Sequence, residues 1–359
     1  MSENHGPLTG RKVVEFAGIG PGPHVAMLLA DLGAQVVTIA RPGSGVSNPV
    51  VERARHRAEI NMKAPEGLAF AKEACLKADV VLEGFRPGVM ERLGLGPDVL
   101  LEANPRLVFA RMTGWGQEGP LAHAAGHDIN YIAITGALSA VGKSGETAVP
   151  PQNLVGDFGG CSMYCAFGIL AALYERERSG KGQVVDAASV DGATSLMSFF
   201  FGVRGRPFIT TDRGKGMLGG AAHFYRCFEC SDGREVSVGA IGPQFYAELI
   251  AKIGAEDISE GQMNPANWDE YTERMAALFK TKPQDEWVEI LEGTAACFAP
   301  VLELEEARDH PHMKARGAYV EHDGEWHTAP APRFSRTPGA VRSSANDGEA
   351  VVANWEAAH

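Results

Sequence analysis

Within about thirty residues near its start, the chain reads strand, glycine loop, helix, strand. Residues 12–17 (KVVEFA) are β-type and break into Gly18-Ile19-Gly20-Pro21-Gly22-Pro23. Residues 24–32 have helical spacing, Gly33 suits the C-cap, and residues 35–40 (QVVTIA) form a second β-type run. Two parallel strands need a crossover of this length, so the feature predicts a βαβ unit and a parallel sheet covered by helices.

The pattern continues with a helix over 66–77 and strands over 79–83 and 107–113. A helix follows over 129–138, then a loop leading to a buried helix between 154 and 174, a strand over 183–188 and a helix over 191–202. Glycine-rich sequence from 204 to 222 marks a change of regime. Beyond it, residues 223–229 and 234–238 flank the turn Ser231-Asp232-Gly233 and predict an antiparallel pair. Helices are expected over 243–253, 268–279 and 283–291, and a Pro- and Gly-rich tail from 316 is expected to return to the first lobe. The expectation is α/β: a large Rossmann-like lobe over 1–200, a linker over 201–222, a small α+β lobe over 223–315 and a return segment over 316–359.

A chain of 359 residues, 45% apolar and 22% charged, has ample material for two such lobes. Its formal net charge of −12 and lack of a basic run argue against a nucleic-acid partner. Any anionic ligand must be held by a few local cations. No apolar run reads as long enough to span a membrane, and the longest, over 163–174, reads as a buried helix. The polar opening MSENHGPLTG and six scattered cysteines predict a reducing, cytoplasmic setting. Cys227 and Cys230 have metal-like spacing but lack the further ligands that zinc needs, so no metal is expected.

The spacing Gly18-x-Gly20-x-Gly22 departs from the dinucleotide fingerprint, and Arg41 stands where a nicotinamide enzyme would carry an acid. A cation there suits a phosphorylated ribose, as in NADP or coenzyme A, or is an ordinary charge at a strand end. An NADP oxidoreductase rests only on the βαβ start and Arg41.

Longer motifs carry a family likeness. VVEFAGIGPGPHVAMLLADLGAQVV, EGFRPGVMERLGLGP, ARMTGWGQEGP, GHDINYIA, PPQNLVGDFGG and GKGQVVDAASVDG resemble the α-methylacyl-CoA racemases, within the wider family III CoA-transferases. The likeness spans roughly residues 8–338. It implies two lobes joined by long linkers, in a homodimer whose chains interlock like rings. Coenzyme A would lie along the first lobe, with the active site between lobes of opposite subunits. It implies that Arg41 and Arg92 contact the phosphates and adenine end of coenzyme A, with Lys63 and the backbone of Ile60, Asn61 and Met62. Glu83, Gly84, Phe85 and Arg86, and Gly126, Ile129, Asn130 and Tyr131, would line the pantetheine and thioester.

Racemising a 2-methylacyl thioester removes the α-proton from one face and returns one to the other. The carbon acid is weak, so two groups able to act as base or acid are required, together with stabilisation of the enolate oxygen. His127 and Asp157, thirty residues apart and in different loops, suit the pair. Asp128 is too close in sequence to relay through His127, but its backbone N–H, opening a helix, suits the enolate oxygen. No cofactor is needed, because coenzyme A enters as part of the substrate. Taken without the likeness, a histidine beside glycine and an aspartate before Phe-Gly-Gly read as structural. The runner-up, from the same family, is a CoA-transferase in which Asp157 attacks the thioester as a nucleophile. Such enzymes generally lack the histidine.

The small lobe departs from its relatives. GAIEPQF of the racemases is Gly239-Ala240-Ile241-Gly242-Pro243-Gln244-Phe245 here, losing a glutamate that orients the catalytic histidine. N-x-LDGGAPFY is represented by Gly216 through Tyr225, with Gly216, Gly219 and His223 replacing asparagine, aspartate and proline. Three readings stay open: a wider site with water or His223 replacing the lost contacts, a shift towards transfer, or slow turnover. The acyl group itself is not encoded in any recognisable motif.

Overall fold

The structure, a computed structural model, describes residues 6–206 and 208–356. The chain divides into two compact units. Unit 1 takes Met1–Thr135, Pro151–Leu196 and Ala315–His359, and unit 2 takes Gly136–Pro150 and Met197–Lys314.

Unit 1 is built on a six-stranded parallel sheet of order β3-β2-β1-β4-β5-β6. Its strands are β1 (Lys12–Phe16), β2 (Gln35–Ala40), β3 (Arg55–Glu59), β4 (Val80–Glu83), β5 (Val108–Thr113) and β6 (Val184–Ala188). Helices α1 (Pro21–Asp31), α2 (Pro65–Lys77), α3 (Val89–Arg92), α4 (Pro97–Ala103) and α5 (Asp128–Ile134) fall between strands, and α6 (Met163–Ser179) precedes β6. Each of α1, α2 and α4 begins with a proline, which supplies helical φ where no N–H partner exists.

Alternation along the strands separates two cores. Val13, Val36, Val80 and Val108 meet Val25 and Leu29 of α1 and Cys165 and Ile169 of α6. Val14, Val37, Val81 and Phe109 meet Ala71 and Ala74 of α2 and Leu100 of α4. A helix-covered parallel sheet follows.

Strand β3 was absent from the sequence reading because its RHRAE run shows no apolar alternation. Its arginines are buried through charge instead. Arg55 donates to Glu15 at 3.0 Å and to the Pro23 carbonyl at 2.6 Å, and the neighbouring Arg53 clasps Asp31 at 2.9 and 2.6 Å. Removing one partner of such a buried pair costs about 3–5 kcal/mol.

Five expectations for the middle of the chain are corrected. The helix expected over 129–138 stops at Ile134, just before Gly136, which adopts φ +85°. The loop expected before the buried helix is itself helical: Leu154–Ser162 is a π-helix that runs directly into α6. The combined run Leu154–Ser179 has 26 residues and is long and apolar enough to cross a membrane, contrary to the reading of the sequence. Nor is α6 fully buried. Cys165, Ile169, Ala172 and Leu173 face the core, whereas Met163, Phe167 and Tyr174 are 51%, 71% and 73% exposed. The stretch expected as one helix over 191–202 is two, α7 (Ser189–Leu196) and α8 (Ser198–Gly202).

Unit 2 carries the antiparallel strands β7 (Tyr225–Glu229), β8 (Glu235–Gly239) and β9 (Phe298–Pro300). Tyr225 pairs with Gly239 and Glu229 with Glu235, around the turn that the sequence marked. Helices α9 (Pro243–Ile253), α10 (Trp268–Phe279) and α11 (Gln284–Leu291) complete a core rich in Phe224, Phe228, Tyr246, Trp268, Phe279 and Trp287. Residues 136–150 belong here rather than with the large lobe, so the boundary at 200 is revised. The reason is close backbone packing: a Cβ on Gly214 would lie 2.5 Å from the Ser144 nitrogen.

After α12 (Leu304–Asp309) and α13 (Pro311–Arg316), the chain rejoins unit 1. It forms the hairpin β10 (Tyr319–His322) and β11 (Glu325–Thr328), then α14 (Gly348–Ala353). Ala345 lies beside β3, accepting from Arg57 N–H at 2.7 Å and donating to Arg55 at 2.8 Å, which covers that edge of the sheet. Val352 and Trp355 are buried in the α2-side core.

Candidate active site

In an open parallel sheet the loops leaving the carboxyl ends of the strands converge on one edge, and ligands bind there. A cavity of about 230 Å³ lies at the ends of β4 and β5, lined by Gly84, Phe85, Arg86, Trp115, Gly126, His127 and Tyr131 among others. Tyr131 shapes it. Its ring meets Trp115 edge to face with centroids 4.8 Å apart, and its hydroxyl donates to the Gly126 carbonyl. A Cβ on Gly114 would lie 1.9 Å from the Tyr131 ring, and one on Gly126 would lie 2.8 Å from it. Both positions need glycine for the ring to sit where it does.

His127 is exposed and is the residue immediately before α5. Asn130 accepts the His127 backbone N–H at 3.1 Å and Tyr131 holds Gly126, so both neighbours fix the histidine's position.

Asp157 sits in the π-helix, a wide turn often found where function displaces a regular ladder. Glycines make the turn possible. A Cβ on Gly192 of α7 would lie 1.7 Å from the Gly160 oxygen, and one on Gly156 would lie 2.5 Å from Asp128 Oδ2. The first glycine loop comes close too, because a Cβ on Gly20 would lie 3.4 Å from Asp157 Oδ2.

The Asp157 backbone N–H donates to Asp128 Oδ2 at 2.7 Å, and the Asn153 amide donates to Asp157 Oδ2 at 3.3 Å. Burial pushes the Asp157 carboxyl above the usual carboxylate range. Asn153 works against that rise, the charge of Asp128 adds to it, and His127 opposes it. A carboxyl with raised proton affinity beside an imidazole has the makings of an acid–base pair.

The structure brings His127, Asp128, Asp157, Gly126 and Tyr131 together, and Gly84, Phe85 and Arg86 share their cavity. Glu83 is different. Its side chain is buried, with one oxygen on Arg111 Nε at 2.9 Å and the other on the Phe85 N–H at 2.7 Å. It shapes the Gly84-Phe85 loop from beneath, rather than lining the cavity as the sequence reading had it. Ile60 is likewise buried, with its N–H on the Ala40 carbonyl. Asn61 accepts from the Lys63 N–H, and Met62 packs against the core. Ile129 and Asn130 are exposed on α5.

Arg41, Lys63 and Arg92 are exposed beyond β2, β3 and β4 and do not line the 230 Å³ cavity. Among the described residues none of the three forms an ion pair, although acidic residues outnumber basic ones by 45 to 33 across the chain.

Sequence reasoning missed three features here. Asn153 stands four residues before Asp157, a spacing that could have flagged it, whereas the Asp128 side-chain contact depends on two distant segments meeting. His24 of α1 hydrogen-bonds Ser162 and packs on Phe158 at 4.9 Å, bracing the segment after Asp157.

The unusual positions of unit 2 also find their places. His223 is fully buried, its Nε2 2.9 Å from the Tyr246 hydroxyl, among the rings of Phe224, Tyr246 and Tyr271. It is committed to that core, which corrects the expectation that it replaces lost active-site contacts. Gly216 lies against Thr210, where a Cβ would be 2.7 Å from the carbonyl oxygen, whereas Gly219 has room for one. Gly242 immediately precedes α9, and a Cβ there would lie 2.9 Å from the Phe245 ring. Cys227 is exposed and Cys230 buried, and no cluster of three or more metal-ligating side chains occurs among the described residues.

The sequence matches CoA-transferase family III over residues 8–348. It is 45% identical over 343 residues to the alpha-methylacyl-CoA racemase of Mus musculus, covering 95% of this chain and 89% of that one. The Homo sapiens alpha-methylacyl-CoA racemase is 44% identical over 333 residues, covering 92% and 87%. A crystal structure of a CAIB/BAIF family protein from Brucella suis superposes with a TM-score of 0.84 at 24% identity, covering 98% of this chain and all of that one.

Proposed function

Because the chain belongs to CoA-transferase family III, we propose that it is an isomerase that inverts the α-carbon of 2-methylacyl-CoA thioesters. The observation that carries the reading is the joining of Asp157 to the residue beside His127. A carboxyl of raised proton affinity and an exposed imidazole come from separate segments and are tied together through Asp128.

In this reading His127 and Asp157 stand on opposite faces of the α-carbon. One removes the proton as the other delivers one, and their roles exchange for the reverse reaction. The Asp128 backbone N–H, first in α5, meets the enolate oxygen as charge develops on it. Arg41, Lys63 and Arg92 take the phosphates and adenine end of coenzyme A, which explains cations left without acids in an acidic protein. Arg86 and the Gly84-Phe85 backbone run along the pantetheine. The side chains named suffice for the proton transfers, and coenzyme A arrives with the substrate.

We further propose a homodimer, supported by the exposed Met163, Phe167 and Tyr174 on α6, and a reducing cytoplasmic setting, supported by six unpaired thiols. The second reading, transfer of coenzyme A through nucleophilic Asp157, draws on the glycine at 242, where the racemases carry glutamate. The two separate in one experiment: deuterium uptake at the α-carbon of a 2-methylacyl-CoA, with free acid acceptors in a parallel tube. Uptake with loss of configuration, independent of acceptor, is expected. Coenzyme A moving to the acceptor without uptake would establish transfer.

A further inference from the structure

Asp128 is 7% exposed, yet only one of its carboxylate oxygens has a partner. Oδ2 accepts the Asp157 N–H at 2.7 Å, whereas Oδ1 is buried with no hydrogen-bond partner. Burying a carboxylate in this half-satisfied way is costly, and it is not needed to cap α5, which Asn130 serves from the other side. Gly156 is bound up with the same contact, since any side chain there would strike Asp128 Oδ2.

We infer that the Asp128 side chain is a positioning residue for Asp157: one oxygen fixes its backbone, and the buried, unpartnered oxygen sets a second carboxylate beside the proposed base. The inference rests on the proposed proton transfer and deepens it. The Asp128 charge raises the Asp157 proton affinity, as two neighbouring carboxylates do. The other groups facing Asp157 are few. From just before α5 comes His127, which opposes the rise, and from α5 itself comes Tyr131. From the π-helix come Asn153, which also opposes it, and Cys161. From the first glycine loop comes the backbone at Gly20. Asp128 is thus the one acidic neighbour identified among the described residues, and the same residue holds the Asp157 backbone.

Asp128→Asn separates the two effects, because the amide oxygen still accepts the Asp157 N–H but the charge is gone. The Asp157 carboxyl band in infrared spectra, assigned by its loss in Asp157→Asn, should titrate about one pH unit lower in Asp128→Asn than in the unaltered protein. The acid limb of the kcat profile should move with it while KM holds. Asp128→Ala, which also removes the acceptor, should lower kcat about tenfold further. An unmoved midpoint in Asp128→Asn overturns the electrostatic role, and equal kcat in the Asn and Ala variants overturns the bracing role. The infrared titration needs no turnover, so a shifted midpoint in a protein that does not racemise would sink the proposed reaction and leave only the coupling of Asp128 to Asp157 standing.

Discussion

The chain places two histidines in opposite circumstances. His127 is exposed at the carboxyl edge of a parallel sheet, flanked by groups that fix its backbone and close to a carboxyl whose proton affinity burial raises. His223 is sealed among aromatic rings in unit 2, and burial there depresses its pKa to about 4. Tyr246 donates its hydroxyl hydrogen to the Ile258 carbonyl at 2.6 Å, so His223 Nε2–H must donate to Tyr246, and Nδ1 is left bare and buried. A histidine built for proton traffic needs solvent or substrate within reach. One used as a core ring needs to be kept neutral.

The sharpest way to break this contrast is at the proposed pair. His127→Ala and Asp157→Ala should each lower α-proton exchange by roughly a hundredfold or more while leaving the melting transition in place. Near-normal exchange in either would remove that residue from the chemistry. At the cations, Arg41→Ala combined with Lys63→Ala should raise KM about tenfold with kcat unchanged, since they bind a part of the substrate that does not react. A fall in kcat alone would place them elsewhere in the reaction.

Gly242→Glu should raise exchange severalfold, because its φ of −69° suits any residue and the Phe245 ring and Gln244 side chain, both movable, are what must turn aside. An unchanged or lower rate would mean that the site is built around glycine. His223→Gln should leave the pH–rate profile where it was and act on stability alone. Between pH 6.5 and about 4 the unfolded chain binds a proton at His223 that the folded chain refuses, so stability falls as pH drops through that window. Denaturant midpoints measured across it should slope less in the variant, and an identical slope would mean that another group carries the effect.

What the residues disclosed divides along physical lines. The apolar strands β1, β2, β4 and β5 were readable because both of their faces are buried in valine and leucine. Strand β3 was not, because Arg55 and Arg57 look like surface residues until Glu15, Glu52 and Ser44 are brought to them by the fold. The catalytic candidates were found through their motifs, and their spacing alone would have left His127 and Asp157 as ordinary loop residues. The Asp128 brace lay beyond reach, since it depends on two segments separated by the whole of 136–150. The exposed stripe of α6 was misjudged for a simpler reason: the apolar run 163–174 carries no mark of which of its residues the core takes and which, such as Phe167 and Tyr174, it leaves exposed.

The return of residues 315–359 to unit 1 has a consequence for synthesis of the chain. On the ribosome, every residue of unit 2 emerges before the helix that places Val352 and Trp355 in the α2-side core. The parallel sheet therefore waits with one face incomplete and the β3 edge uncovered while unit 2, already synthesised, is free to fold first. During that interval the nascent chain exposes the apolar α2-side face that Val352 and Trp355 later bury.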